Sequence, residues 1–128
     1  MDELKVLPHN IASERAVLGS ILINPDKIVT VSEHLKSDDF YSPANKILFK
    51  IMQGLFERGE AIDTLTIKSE LEVNGDLEKI GGIPYLAEIV NAVPTSSHAE
   101  HYAKIVAKKS QLRSIIGNLS DSIENAYD

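Results

Sequence analysis

Few side chains in this sequence stand at spacings that do chemistry. The first candidate is Gly81-Gly82, which runs into Ile83-Pro84-Tyr85. Glycines that open a helix can cradle a phosphate with backbone N–H groups. A nucleotide loop of that kind continues with Lys and then Ser or Thr, the lysine for the terminal phosphates and the hydroxyl for magnesium. Here isoleucine, proline and tyrosine follow, and Pro84 removes one of the N–H groups that would face a phosphate. No strand-like segment precedes the pair. The glycines are therefore expected to supply a tight turn with positive φ or a close helix approach.

His98 and His101 stand three apart and would share a helical face, the spacing of two metal ligands. A third ligand at fitting spacing is missing, so they are expected as polar residues on the first turns of a last helix. His9 and His34 are isolated. The chain has no cysteine, hence no thiol nucleophile and no disulfide framework. No G-x-S-x-G elbow is present. Asp38-Asp39 precede a helix start, where acids favour the dipole, and nothing promotes a carboxylate pair for glycoside hydrolysis. Lys104, Lys108, Lys109 and Arg113 form a basic run, with Lys104, Lys108 and Gln111 able to share a face. This is either a weak patch for an acidic partner or a solvated face. The formal net charge of -6 disfavours tight nucleic-acid binding by this chain through phosphate neutralisation. No catalytic, cofactor-binding or metal-binding residue is assigned, and an interaction or assembly module is favoured over an enzyme.

The elements that carry these residues all read as helices. With 43% apolar and 25% charged residues the composition is that of a globular domain, and the 128 residues suffice for one core. Residues 1–9 read as an irregular arm ending at Pro8. Asn10 or Ser13 caps a first helix with Ile11, Val17, Leu18, Ile21 and Leu22. Asn24-Pro25-Asp26 ends it. Asp26 caps a short second helix with Ile28, Val31 and Leu35. Ser42 as N-cap and Pro43 at the first position start a third, whose broad stripe of Ile47, Leu48, Ile51, Met52 and Leu55, widened by Phe49 and Phe56, marks it as the central helix. Gly59 is its stop. Asp63 caps a fourth with Leu65, Ile67 and Leu71 inward, closed by Asn74-Gly75-Asp76. A fifth carries Tyr85, Leu86, Ile89 and Val90 and is closed by Pro94. Thr95, Ser96 and Ser97 offer caps for a last helix from about residue 97. No leader-type apolar segment opens the chain, and no apolar run approaches the ~20 residues of a membrane helix.

The last helix is the most informative by period. Ile105, Lys109, Leu112, Ile116, Leu119, Ile123 and Ala126 recur every three or four residues, a heptad seam with one polar member. Two readings stay open: an amphipathic helix packed on its own domain, or a seam for a helix from a second chain or from further sequence. No terminator precedes Asp128, so the chain is expected to stop inside a larger protein.

Several blocks resemble the N-terminal domain of the replicative DNA helicase DnaB family. Pro8, Ile11, Glu14, Val17, Leu18, Gly19, Ile21 and Leu22 match its opening pattern. "DDFYSPANKILF", "RGEAIDTLTI" and "IGGIPYLAEIVNAVPTSSHAEHYAKIV" are similar to later blocks, in the same order, over about residues 8–116. The resemblance implies an all-α fold: a compact multi-helical head over 10–94, after the arm of 1–9, and over 95–128 a long C-terminal helix that forms the first arm of a helical hairpin. It implies no enzyme in this chain alone. The ATP-dependent motor, of five-prime to three-prime type, would lie in a separate domain with its ATP, its magnesium and most of the DNA contact. The implied partners are a second copy, a hexameric ring in the full-length protein, the helicase-binding domain of the primase and a helicase loader, with no membrane, in the bacterial cytoplasm at replication forks. Ile105, Leu112, Ile116, Leu119 and Ile123 are the candidate self-association seam, and Tyr85 and Ile116 the candidate primase contacts. At roughly 1.5–3 kcal/mol per large apolar side chain buried, an uncovered seam is expected to drive dimerisation or to fray after about residue 112. The alternative is a stand-alone helical DNA-binding or regulatory adaptor domain, which the acidic charge and the lack of a basic recognition helix oppose.

Overall fold

A computed structural model describes residues 6–127. Six α-helices follow one another: α1 (Ile11–Ile23), α2 (Lys27–His34), α3 (Pro43–Glu57), α4 (Thr64–Asn74), α5 (Gly82–Val90) and α6 (Ala99–Tyr127), with one 3-10 turn at Ser37–Asp39 between α2 and α3. No strand occurs among the described residues. Residues 1–5 of the expected arm lie outside the described residues, and 6–10 are irregular.

The helix starts follow their caps. Asn10 accepts a hydrogen bond from the Ser13 N–H at 2.9 Å, so Asn10 is the cap of α1 and Ser13 is buried inside it. Ser42 accepts from the Asn45 N–H ahead of Pro43. Asp63 and Thr66 exchange side-chain and backbone bonds at 2.8 and 3.1 Å, a reciprocal box at the start of α4. Asp26 stands at the expected cap position of α2, with its backbone in the right-handed helical region, but its side chain accepts no capping bond. Asn24 organises that turn instead, accepting from the Asp26 N–H at 3.2 Å. Gly75 ends α4 with φ 73°, and α5 ends at Val90, capped by Asn91, before Pro94 is reached.

The central helix is α1, not α3. Eight residues of α1 are buried, Ser13, Glu14, Ala16, Val17, Leu18, Gly19, Ser20 and Ile21, against six of α3. Small residues explain it, since they let α2, α3, α5 and α6 approach α1 from several sides. A Cβ on Gly19 would lie 2.7 Å from the Ile89 carbonyl oxygen, so α5 sits against bare backbone there. Ser20 can be buried because its hydroxyl donates to the Ala16 carbonyl at 2.7 Å.

The rest of the core comes from Ile28, Val31 and Leu35, Phe40 against Phe49, Leu48, Met52 and Leu55, Ile67 and Leu71, and Leu86 and Ile89. Leu65 does not join it. It is 75% exposed, because α4 buries only the edge that carries Ile67 and Leu71. Phe56 is also exposed, at the far edge of α3.

Helix α6 adds Ala99, Ala103 and Val106 to the same core, packing on α1 and α2. Its first half thus packs directly on the head. From Ser114 to Tyr127 every residue is exposed, and the helix is continuous through this stretch without a break near residue 112.

Candidate protein-interaction surfaces

Polar residues from α1, α3 and α5 meet in one buried network. Glu14 is 1% exposed. One of its carboxylate oxygens accepts from the Tyr41 N–H at 2.6 Å, and the other from the Ser42 N–H at 3.2 Å and from Asn45 Nδ2 at 2.9 Å. Two of these donors lie at the start of α3, where the helix dipole also favours a negative charge. Asn45 then accepts the Tyr85 hydroxyl on its Oδ1. The Arg15 guanidinium lies 5.5 Å from the centroid of the Tyr85 ring.

Gly81 and Gly82 explain how Tyr85 reaches this network. Their φ values are 103° and 74°, left-handed conformations that side chains disfavour, and they turn the chain into α5 one turn ahead of Tyr85. The expected tight turn is therefore what the glycine pair provides. Tyr85, a candidate partner contact, is half-buried with its hydroxyl turned inward.

On α6 the residues of the heptad seam lie away from the core. At 3.6 residues per turn their mean direction is roughly 130° from that of Ala99, Ala103 and Val106. Ile105 and Leu112 are half-buried at the margin of the head, whereas Ile116, Leu119 and Ile123 are 38%, 59% and 61% exposed. Ile115 and Tyr127 extend the apolar surface. The helix carries two faces, a small-residue face spent on the head and a large aliphatic face that is exposed beyond Arg113.

Arg113 marks the boundary. It donates to the Pro8 carbonyl at 2.8 Å and the Asp39 carbonyl at 2.6 Å, and lies 5.5 Å over the Tyr41 ring. Ser110 donates to Asp39 at 2.7 Å, and His9 stacks on Tyr41 with ring centroids 4.2 Å apart. So Arg113, in sequence one of a basic run, ties α6 to the arm and to the 3-10 turn. Asp39 is held there too: its other oxygen caps that turn from the Lys36 N–H. Lys104 and Lys108 are exposed, as on a solvated face.

His34 is not isolated. Its Nε2 lies 3.1 Å from Glu100, joining the end of α2 to the start of α6. The His34 hydrogen bond, aided by Lys104, holds the Glu100 carboxyl below its ordinary pKa. Hydrogen bonding to Glu60, with Glu70 nearby, raises the Arg58 guanidinium above its own. Among the described residues no three acids or histidines are placed to hold a metal. His98 and His101 flank Tyr102 as aromatic neighbours.

Two open grooves run along α5. One, of about 540 Å³, is bordered by Ala12 and Arg15 of α1 and by Pro84, Ala87, Glu88, Asn91 and Ala92. The other, between α4 and α5, is lined by Leu65, Lys68, Ile83, Leu86 and Val90 among others. Arg15 does not stand out in the sequence. Its only signal there is a charge beside Glu14 inside an otherwise apolar and small helix.

Known proteins share this fold. The model of the DnaB-like helicase N terminal domain matches residues 6–108. The chain is 39% identical to the replicative DNA helicase DnaB of Geobacillus stearothermophilus over 96% of its own length and 27% of that protein's. It is 42% identical to the replicative DNA helicase DnaC of Bacillus subtilis over 94% of its length and 26% of that protein's. It therefore spans about a quarter of the length of these relatives. Among solved structures, the N-terminal domain of DnaB helicase from Mycobacterium tuberculosis superposes with a TM-score of 0.93 at 38% identity, covering 95% of this chain and 85% of that one. The N-terminal domain of the Helicobacter pylori DnaB helicase, described with its interactions with primase, gives 0.77 at 28% identity, covering 91% of each chain. Membrane-spanning length and apolarity are found in no helix of the described residues. With its all-helical fold, its long final helix and this match over most of its length, the chain belongs to the DnaB-like helicase N-terminal domain family.

Proposed function

We propose that this domain is the assembly and docking module of a replicative helicase. Two copies pair through the exposed aliphatic face of α6, the pairs build a collar on a hexameric ring, and the collar receives the helicase-binding domain of the primase. The observation that carries the reading is the face itself: Ile116, Leu119 and Ile123 stand in a regular row with no partner among the described residues. At about 25 cal/mol per Å² of apolar surface removed from water, covering such a row is a substantial drive to associate. Helicobacter pylori supplies a relative described with its interactions with primase, which supports the docking half of the proposal. Within that half, Ile116, at the head-side end of the row, is a contact shared between the pair and the docked domain, and Tyr85 acts by fixing α5 while its hydroxyl stays on Asn45.

On this reading the ATP-dependent, five-prime to three-prime motor, with its ATP, magnesium and most of the DNA contact, belongs to a separate domain. A helicase loader acts on the same assembly, in the bacterial cytoplasm at replication forks. The pairing is tested with a spin label on the cysteine-free chain, at Ser120→Cys beside the row. A narrow distance between copies that vanishes on dilution with unlabelled chain supports it. The absence of dipolar coupling between labelled copies at high concentration rejects it.

A further inference from the structure

Arg15 is a charged group with no counterpart among the described residues. Among the described residues it makes no ion pair, and its Nε is buried without an acceptor. Buried donors are normally paired, so an orphan in a guanidinium at a groove calls for a reason. The side chain is not loose. It is half-buried, and the Tyr85 ring, itself fixed through Asn45 and Glu14, lies under the guanidinium at 5.5 Å. A guanidinium held over an aromatic ring has fewer orientations open to its fork of donors, which lowers the ordering cost of receiving a planar anion.

The surroundings suit a protein segment. The groove of about 540 Å³ beside Arg15 is floored by Ala12, Ala87, Ala92 and Pro84, which leave room for a side chain from outside. Glu88 and Asn91 also line it, and Glu88 forms no ion pair with Arg15. The groove thus offers a single cation to a carboxylate and a polar wall that orients the chain bearing it. The Asn91 amide donates to the Ala87 carbonyl at 3.1 Å, which leaves its own oxygen as an acceptor for the incoming backbone.

We infer that the α1–α5 groove is the seat of an acidic side chain of the docked partner, with Arg15 receiving its carboxylate in a bidentate pair. This rests on the docking reading above and names the chemistry of that contact. Binding of the cognate primase helicase-binding domain to wild type, Arg15→Gln and Arg15→Lys, at several salt concentrations, tests it. Circular dichroism first confirms that each variant is folded. Arg15→Gln should weaken binding at least about tenfold and flatten its salt dependence, as expected for the loss of a desolvated charge pair. Arg15→Lys, which keeps the charge without the fork, should fall between. Replacing the partner's surface carboxylates in turn should reveal one whose loss costs nothing further in the Arg15→Gln background. Unchanged affinity and salt dependence in folded Arg15→Gln would overturn the inference while leaving docking intact. Equal weakening in both variants with the wild-type salt slope would also overturn it, by showing that Arg15 only props Tyr85. If the wild-type chain binds no primase domain, the docking reading itself falls and the inference falls with it.

Discussion

The Tyr85 hydroxyl and the Asn45 side chain are partners across 40 residues of sequence, and through them α5 is pinned to α3 and to the buried Glu14 of α1. A tyrosine that looks from the sequence like a surface contact is first a structural tie. Tyr85→Phe should leave the Asn45 oxygen without its donor and cost about 1–2 kcal/mol, read as a lower urea midpoint with an unchanged slope. No loss of stability would mean that the hydroxyl is free for another task.

Glu14 is the more sensitive member. Its two oxygens accept three donors. Glu14→Gln would turn an amide N–H₂ toward at least one of them, so a loss of about 2–3 kcal/mol is expected from an unmet buried donor and the weaker neutral bonds. Thermal unfolding checks this, and a shift smaller than that of Tyr85→Phe would contradict the ranking of the two.

Gly19 lets α5 lie on α1. A methyl there would stand 2.7 Å from the Ile89 carbonyl and 3.2 Å from Ala92 Cβ. Although alanine favours helix, Gly19→Ala should destabilise by about 1–3 kcal/mol, since overpacking outweighs the propensity gain. Gly117, where an added methyl would meet nothing within 4 Å, is the control: Gly117→Ala should be neutral or slightly stabilising.

The His34–Glu100 tie gives one pH dependence. The Glu100 carboxyl is held below its ordinary value of 4.5, first by the His34 hydrogen bond and then by Lys104. A depressed folded pKa means that the contribution is fully present above the unfolded value and is lost as pH falls through the folded one. The difference in urea midpoint between wild type and Glu100→Gln should therefore shrink on acidification below about pH 4.5. Glu100 is exposed, so the effect is small, and salt should weaken it further.

Much of the fold was legible because its signals are local. Asn10, Ser42-Pro43, Asp63 and Gly75 punctuate the helices through bonds that span three or four residues, and such bonds depend little on the rest of the molecule. The signals that misled are tertiary. Leu65 fits the helical stripe of α4, yet nothing packs over it. The broad apolar stripe of α3 pointed to the centre, whereas α1 is central because small residues admit neighbours that a hydrophobicity pattern does not register. The polar network eluded the pattern for the same reason, since Glu14, Asn45 and Tyr85 acquire their meaning only when three helices meet. Arg113 read as a member of a basic run and is in fact a latch on Pro8 and Asp39. The heptad row of α6 was visible by period, and the structure adds that its aliphatic end is uncovered.

Light scattering across a concentration series is the most direct test of pairing through α6, run on wild type and on the double substitution Leu119→Ser and Ile123→Ser. Wild type should approach twice the chain mass of 14.1 kDa as concentration rises, while the variant, equally helical, should stay at 14.1 kDa. A wild-type chain that remains monomeric throughout, or a variant that dimerises as well as wild type, would contradict the assignment of that face.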